Sequence, residues 1–517
     1  MSSTVTQGAS ALEDTIQVTG GRIRGQVRGG LSVFKGIPFA APPTGDLRWK
    51  APQPVAPWSG VLAADDYGPA CPQDTSMYPM IGLPVPPMDE DCLYLNVWAP
   101  EGETGAPLPV MVWIYGGAFL MGATSLYDCE NLARKGVIVV SVAYRVGVLG
   151  FLAHPELSHE TGHGSGNYGL LDQIAGLKWV RDNIAAFGGD PANVTVFGES
   201  AGAISVSMLA ASPLAKGLFH KAISQSGGAF TPPRLADEGG HLTPAGSVAE
   251  AWGERFVASM GATGIEEARR IPIDKIMATP GAGMDVPIGT GFWPNFDGYV
   301  LPGDQYELYA AGRQNDTPIL IGTNSDEGAM FTPPTDARAF ADHVRGRYGE
   351  RAEAVLGAYP ARTDAEANLW SKHLFRDAVF AWPTWAWARL QARTGQGGVY
   401  AYYFDHRTPF SPDGAGHASE IALVFGNLVA AIHGPDDAAM SELMSSYWIN
   451  FAKTGDPNGP GLPAWPRFDE ERQLMMHFDQ QSSARPTPNA AQLEALEDYF
   501  AWRRQQWTSF GRNQPSH

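Results

Sequence analysis

The stretch Gly198-Glu199-Ser200-Ala201-Gly202 constrains this chain more than any other. Val194-Thr195-Val196-Phe197 in front of it reads as a buried strand, and residues 203–210 behind it read as a helix. Strand, G-x-S-x-G, helix is the sequence context of a nucleophile elbow. A turn that sharp brings strand and helix into near contact, so its flanks have to be almost free of side chains. Gly198 and Gly202 meet that need by lacking Cβ. The hydroxyl of Ser200 is then lifted clear of the sheet. Behind it, the helix N-terminus offers unpaired N–H groups and a positive dipole end.

The surrounding pattern supplies a sheet for such a turn. Leu93–Trp98, Val110–Ile114 and Val137–Val142 are continuous apolar runs of the kind buried on both faces of a central sheet. Between Gly169 and Phe187, apolar residues recur at helical spacing until Gly188-Gly189 and Pro191 stop the helix. Later strands are expected at Lys221–Ser224, Pro318–Ile321, Val399–Phe404 and Leu474–Phe478, with helices around 246–260, 336–357 and 363–394. Strands alternating with helices mean an α/β fold: a large, mostly parallel, twisted sheet covered on both faces. Runs 16–18, 22–27 and 31–35, joined by paired glycines, predict a small N-terminal antiparallel sheet within 15–60. One domain over 12–510 is expected, with a mostly helical cap or insertion at 230–395. Residues 71–92 form a long loop near the site entrance, serving either as a lid or as a surface excursion.

Composition narrows the partners. Lys+Arg of 36 against Asp+Glu of 54 leaves a net charge of −18. Nucleic acid and anionic membrane would both be repelled, so neither is expected as a partner. No run of about 18 apolar residues occurs, and the first ten residues lack a basic, then apolar, leader pattern. A cytoplasmic location is the expectation. No cofactor is expected: no His/Cys cluster has metal-ligand spacing and no Walker-type loop is present. The partner expected is a small molecule, and nothing in the sequence chooses between a monomer and a homo-oligomer. Three cysteines, Cys71, Cys92 and Cys129, allow one internal disulfide or, in a reducing compartment, none.

A serine hydroxyl needs a base to take its proton, normally a histidine oriented by a carboxylate. An acid candidate stands in Asn324-Ser325-Asp326-Glu327-Gly328, just past the apolar run 318–321, where parallel strands place their sites. Among the histidines downstream, His417 lies in the small-residue loop Asp413-Gly414-Ala415-Gly416-His417-Ala418-Ser419-Glu420 after the strand 399–404. The others sit in helical, terminal or charged contexts. Trp113-Ile114-Tyr115-Gly116-Gly117-Ala118-Phe119 follows another strand, and its glycines let backbone N–H groups approach a substrate.

These stretches together resemble the type-B carboxylesterases, the carboxylesterase/cholinesterase family of the α/β-hydrolase fold, and more specifically its bacterial para-nitrobenzyl-esterase-like members. The resemblance runs nearly end to end. It rests on Phe34-Lys35-Gly36-Ile37-Pro38-Phe39-Ala40, Glu90-Asp91-Cys92-Leu93-Tyr94-Leu95-Asn96, Tyr115-Gly116-Gly117-Ala118-Phe119 and Asn167-Tyr168-Gly169-Leu170-Leu171-Asp172-Gln173. Phe187-Gly188-Gly189-Asp190-Pro191, the elbow itself and Phe451 through Asn458 complete it. The resemblance implies a serine carboxylic-ester hydrolase with Ser200 as nucleophile, Glu327 as acid and His417 as base. It implies Gly117, Ala118 and Ala201 as oxyanion donors, with Glu199 and Ser226 as supporting groups. Phe119, Phe230, Phe292, Trp293 and Phe331 are candidates for the substrate pocket or, equally, for the core.

Three departures from the family pattern carry information. Many relatives read His-Gly-Gly-Gly where this chain reads Tyr115-Gly116-Gly117-Ala118, a change associated with bulky, even tertiary-alcohol, esters. Ala418 follows the base where relatives usually have Gly. The loop 71–92 lacks the Trp with which cholinesterases hold a choline cation, so choline specificity is not expected. A family disulfide would pair Cys71 with Cys92. One xenobiotic or toxin ester as the dedicated substrate is the enzymatic alternative. A non-catalytic adhesion relative is the other, and such relatives typically lose the nucleophile that is kept here.

Overall fold

A computed structural model describes residues 15–102, 105–234, 243–285, 291–409 and 411–511. The expected domain start at residue 12 and parts of the 230–395 region, 235–242 and 286–290, lie outside these residues. The strands begin with β1 (Ile16–Val18), β2 (Gly21–Arg24), β3 (Gln26–Arg28), β4 (Leu31–Pro38) and β5 (Val61–Ala63). They continue with β6 (Tyr94–Pro100), β7 (Leu108–Ile114), β8 (Ile138–Val142), β9 (Gly189–Glu199) and β10 (Lys221–Gln225). The last are β11 (Ile319–Asn324), β12 (Val399–Phe404), β13 (Leu474–Phe478) and β14 (Ser483–Pro486).

Eleven of them form one sheet in the order β14-β13-β12-β11-β10-β9-β7-β8-β6-β4-β3. From β13 through β8 every neighbouring pair is parallel; antiparallel pairs close the two ends. Strands β8, β10 and β11 bury every residue along their whole length. That is the pattern of a sheet with helices on both faces. The helix Tyr168–Asn183 and the elbow helix Ala201–Ala211 cover it, and the rings of Trp113, Phe197 and Phe425 pack against one another with centroids 4.8–5.8 Å apart. The 169–187 periodicity is met by that helix, a tight turn over Ile184–Phe187 and a left-handed Gly188.

Strand order locates the crevice. From β7 the chain moves outward to β8 on one side; from β9, paired to the opposite edge of β7, it moves outward to β10 on the other. Ligands bind outside the carboxyl ends of strands at such a reversal. Here those ends are Ile114 and Glu199, one residue before the glycine-rich loop and before Ser200 respectively.

The N-terminal region differs from expectation. Only β1 and β2 are antiparallel partners in the small sheet; its third strand is β5, parallel to β2, while β3 and β4 join the main sheet. The break falls at Gly25, where a Cβ would sit 2.4 Å from the Val33 carbonyl oxygen, so only glycine lets the chain step from one sheet to the other. Cys71 and Cys92, whose pairing the sequence leaves open, are not joined. Both are buried free thiols, and contact with Cys71 together with burial pushes the Cys92 thiol well up. Cys129 is a third buried free thiol.

Candidate active site

Ser200 occupies the elbow with φ 54° and ψ −123°, a strained geometry for a residue with a side chain. The strain is held by close packing. A Cβ on Gly202 would lie 2.0 Å from the Ile114 carbonyl oxygen, so elbow helix and β7 touch backbone to backbone. Ser200 N–H donates to the Gln225 carbonyl at 2.9 Å, tying the turn to the end of β10.

His417 Nε2 lies 2.9 Å from Ser200 Oγ, and its Nδ1 lies 2.5 Å from Glu327 Oε2. Glu327 is fully buried, and its Oε1 accepts the Asn324 N–H at 2.8 Å. The loops carrying Glu327 and His417 leave adjacent parallel strands, β11 and β12, and are stitched together beyond them. Asp326 N–H donates to the Ala415 carbonyl, and Ala415 N–H to Ser325 Oγ, each at 2.8 Å. Phe380 stacks on the imidazole at 4.7 Å and Phe331 meets it edge-on at 5.1 Å, which leaves the ring little freedom to turn.

The glycine-rich loop completes the cluster. Gly117, Ala118 and Phe119 all have positive φ, at 113°, 55° and 59°. Among the described residues, no protein acceptor takes the Gly117, Ala118 or Ala201 N–H. The loop is locked from behind: Tyr115 Oη donates to the Tyr144 carbonyl at 3.0 Å and Tyr144 Oη to the Tyr115 carbonyl at 2.8 Å. The two rings stack at 4.5 Å, both buried.

Glu199 and Glu420 add two further buried carboxyl groups. Glu199 Oε1 is 3.3 Å from His417 Nε2, while Glu420 accepts from Gln225 Nε2 at 3.0 Å and Asn324 Nδ2 at 2.6 Å. Burial pushes the Glu199 carboxyl up to about 8, opposed by His417 and helped by Glu420 and Glu327. Burial alone would lower His417, but Glu199, then Glu327 with its hydrogen bond and then Glu420, outweigh it and raise the imidazole to about 9. A raised imidazole holds its proton to higher pH, and an imidazole must be neutral to accept one from a serine. Glu199→Gln removes the first of the raising charges, so the acid limb of the kcat/KM–pH profile is expected to move to lower pH; a limb that stays in place or moves up contradicts this.

The other sequence candidates separate. Ser226 is buried with φ 58° and donates its N–H to the Gly322 carbonyl; its Oγ has no partner among the described residues. Phe331 touches the imidazole, and Phe119 and Trp293 pack edge to face at 4.8 Å beside the glycine-rich loop. Phe230 and Phe292 are core residues instead: Phe230 packs on Tyr309 and Trp387, and Phe292 on Phe256. Glu420, Gln225 and Asn324 were missed by sequence reasoning, although Glu420 lies only three residues after His417. No group of three or more His, Cys, Asp or Glu suited to a metal occurs among the described residues, and no helix there is long and apolar enough to cross a membrane.

A mostly parallel sheet with a serine, a carboxylate and an imidazole brought together by the segments that follow β9, β11 and β12 defines an α/β-hydrolase. The chain belongs to the carboxylesterase family, whose model, "Carboxylesterase family", matches residues 13–496, and it is a carboxylic-ester hydrolase of that family. It is 38% identical to the para-nitrobenzyl esterase of Bacillus subtilis (strain 168), across 92% of this chain and 97% of that one. It is 37% identical to a fumonisin B1 esterase of Sphingopyxis macrogoltabida, across 88% of this chain and 85% of the relative. A solved PNB esterase superposes with a TM-score of 0.80 at 36% identity, covering 93% of this chain and 99% of its own.

Proposed function

We propose that this chain cleaves carboxylic esters in two steps through an ester formed on Ser200. Ser200 Oγ attacks the carbonyl carbon while His417 Nε2 takes its proton, and Glu327 steadies the imidazolium through Nδ1. The Gly117, Ala118 and Ala201 N–H groups receive the negative oxygen. The tetrahedral adduct collapses, and the alcohol leaves with the proton from His417. Water, deprotonated by the same imidazole, then attacks the acyl group, and the acid is released with Ser200 restored.

The observation that carries this reading is the continuous relay, 2.5 Å and then 2.9 Å, ending on a serine held in a left-handed turn. Apolar and bulky esters are the proposed range, supported by the aromatic walls and the Tyr115-Gly116-Gly117-Ala118 loop. A narrower range, one xenobiotic or toxin ester, is favoured by relatives named for such compounds, the fumonisin B1 esterase and a phenmedipham hydrolase of Pseudarthrobacter oxydans that is 36% identical. Turnover of a panel of 4-nitrophenyl and tertiary-alcohol esters separates the two. A fluorophosphonate probe is expected to label Ser200 one to one and abolish turnover; labelling of a different serine, or activity that survives full labelling, refutes the proposed nucleophile.

A further inference from the structure

The glycine-rich loop, which holds two of the three proposed oxyanion donors, is a closed turn. Leu120 N–H and Met121 N–H both donate to the Gly117 carbonyl at 3.0 Å. A Cβ on Gly117 would lie 2.2 Å from the Met121 carbonyl oxygen. At the far end of the turn Gly122 has φ 134°, and a Cβ there would lie 2.4 Å from the Tyr115 ring and 2.8 Å from the Gly116 carbonyl oxygen. Backbone packed this closely has no slack, so a shift at Gly122 is passed on to Gly117 and Ala118.

One side chain from the 71–92 loop grips Gly122 by both of its backbone polar groups. Gln73 Oε1 accepts the Gly122 N–H at 2.7 Å, and Gln73 Nε2 donates to the Gly122 carbonyl at 3.0 Å. The rest of the carboxamide is taken as well. Oε1 also accepts the Tyr78 hydroxyl at 2.8 Å, and Nε2 also donates to the Cys71 carbonyl at 2.8 Å. Two acceptances and two donations use all that a primary amide has, and the Gly122 N–H fixes which end is oxygen. Gln73 and Tyr78 are both buried, so a bond removed here leaves its partner stranded. The segment is itself pinned on its other side, where Asp74 accepts the Ser76 N–H at 2.8 Å and the Met284 N–H at 2.9 Å. The first part of the 71–92 loop is therefore a brace on the glycine-rich turn.

We infer that Gln73 is a positioning residue for ester cleavage: by holding both backbone polar groups of Gly122 it sets where the Gly117 and Ala118 N–H groups point. The inference rests on the proposed esterase chemistry and adds to it a residue that acts through the turn and touches no substrate. The demand on the turn is greatest in the transition state. A resting ester carbonyl tolerates loosely aimed donors, whereas the developing oxyanion needs them at hydrogen-bond distance, so a misplaced turn lowers kcat more than it raises KM. The side chain has to accept from the N–H and donate to the carbonyl of one glycine. A carboxylate supplies only the first and a hydrocarbon neither.

The test reads kcat and KM on 4-nitrophenyl butyrate, and inhibition by 1,1,1-trifluorooctan-2-one, whose adduct with Ser200 puts a negative oxygen where the donors aim. Gln73→Met keeps the length of the side chain and removes all four bonds. Its kcat is expected to fall at least about 5-fold with KM within about 3-fold, and the ketone to bind more weakly by a factor similar to the loss in kcat. Tyr78→Phe is the control: it removes a buried bond of the same kind and leaves both Gly122 bonds in place. Its kcat is expected to stay within about 2-fold of the wild type even where thermal unfolding moves down. A smaller loss of kcat in Gln73→Met, a loss confined to KM, unchanged binding of the ketone, or an equal loss of kcat in Tyr78→Phe overturns the inference. Where Gln73→Met does not fold, Gln73→Glu takes its place, since it loses the donation to the Gly122 carbonyl, and the same outcomes decide. If the wild type neither turns over the ester nor is inhibited by the ketone, the esterase reading itself fails; if it does both and the variants do not discriminate, only the role of Gln73 falls.

Discussion

Ser200→Ala is expected to lower kcat/KM on 4-nitrophenyl esters about 10⁵- to 10⁶-fold, about 7–8 kcal/mol of transition-state stabilisation. The fold should survive. Alanine keeps the Cβ that the elbow already accommodates, and the Ser200 N–H and carbonyl bonds to Gln225 and Ile204 involve backbone alone. Thermal unfolding is expected to stay within about 2 °C of the parent. Steady-state kinetics and calorimetry on the same preparation check both halves. Activity within about 100-fold of the parent would place the nucleophile elsewhere.

Glu327→Gln is expected to cost about 10⁴-fold in kcat with little change in KM. A carboxylate at Oε2 accepts the Nδ1 proton and so leaves Nε2 bare toward Ser200. A glutamine amide can instead donate to Nδ1, which puts the proton on Nε2, facing the hydroxyl it has to deprotonate. The second carboxylate does not substitute for this. Glu199 approaches the imidazole at Nε2, 3.3 Å away, and cannot fix the tautomer from that side. A loss below about 10-fold would show that Glu327 does not orient the base.

The parts of this site that are legible in the sequence are those whose signal is local. The elbow is a contiguous strand, turn and helix whose two glycines are explained by a backbone contact, and the acid and base loops each follow a readable strand. What is not legible depends on partners far along the chain. Pairing of β2 with β5 is decided by a three-residue run at 61–63 that carries no periodicity. The Glu420–Gln225–Asn324 network joins residues more than ninety positions apart, each of which reads alone as an ordinary polar residue. Whether an aromatic walls a pocket or fills a core is set by its neighbours: Trp293 lines a cavity while Phe292, one residue earlier, points into Phe256.

The crossed phenol-to-carbonyl bonds of Tyr115 and Tyr144 bear on how such a loop could diverge. Each ring satisfies the other's backbone, so altering one alone strands a carbonyl inside the protein and loosens its stacking partner. A lineage leaving this arrangement would therefore meet a fitness valley after the first replacement. The two positions, twenty-nine residues apart, are expected to drift as a couple rather than singly.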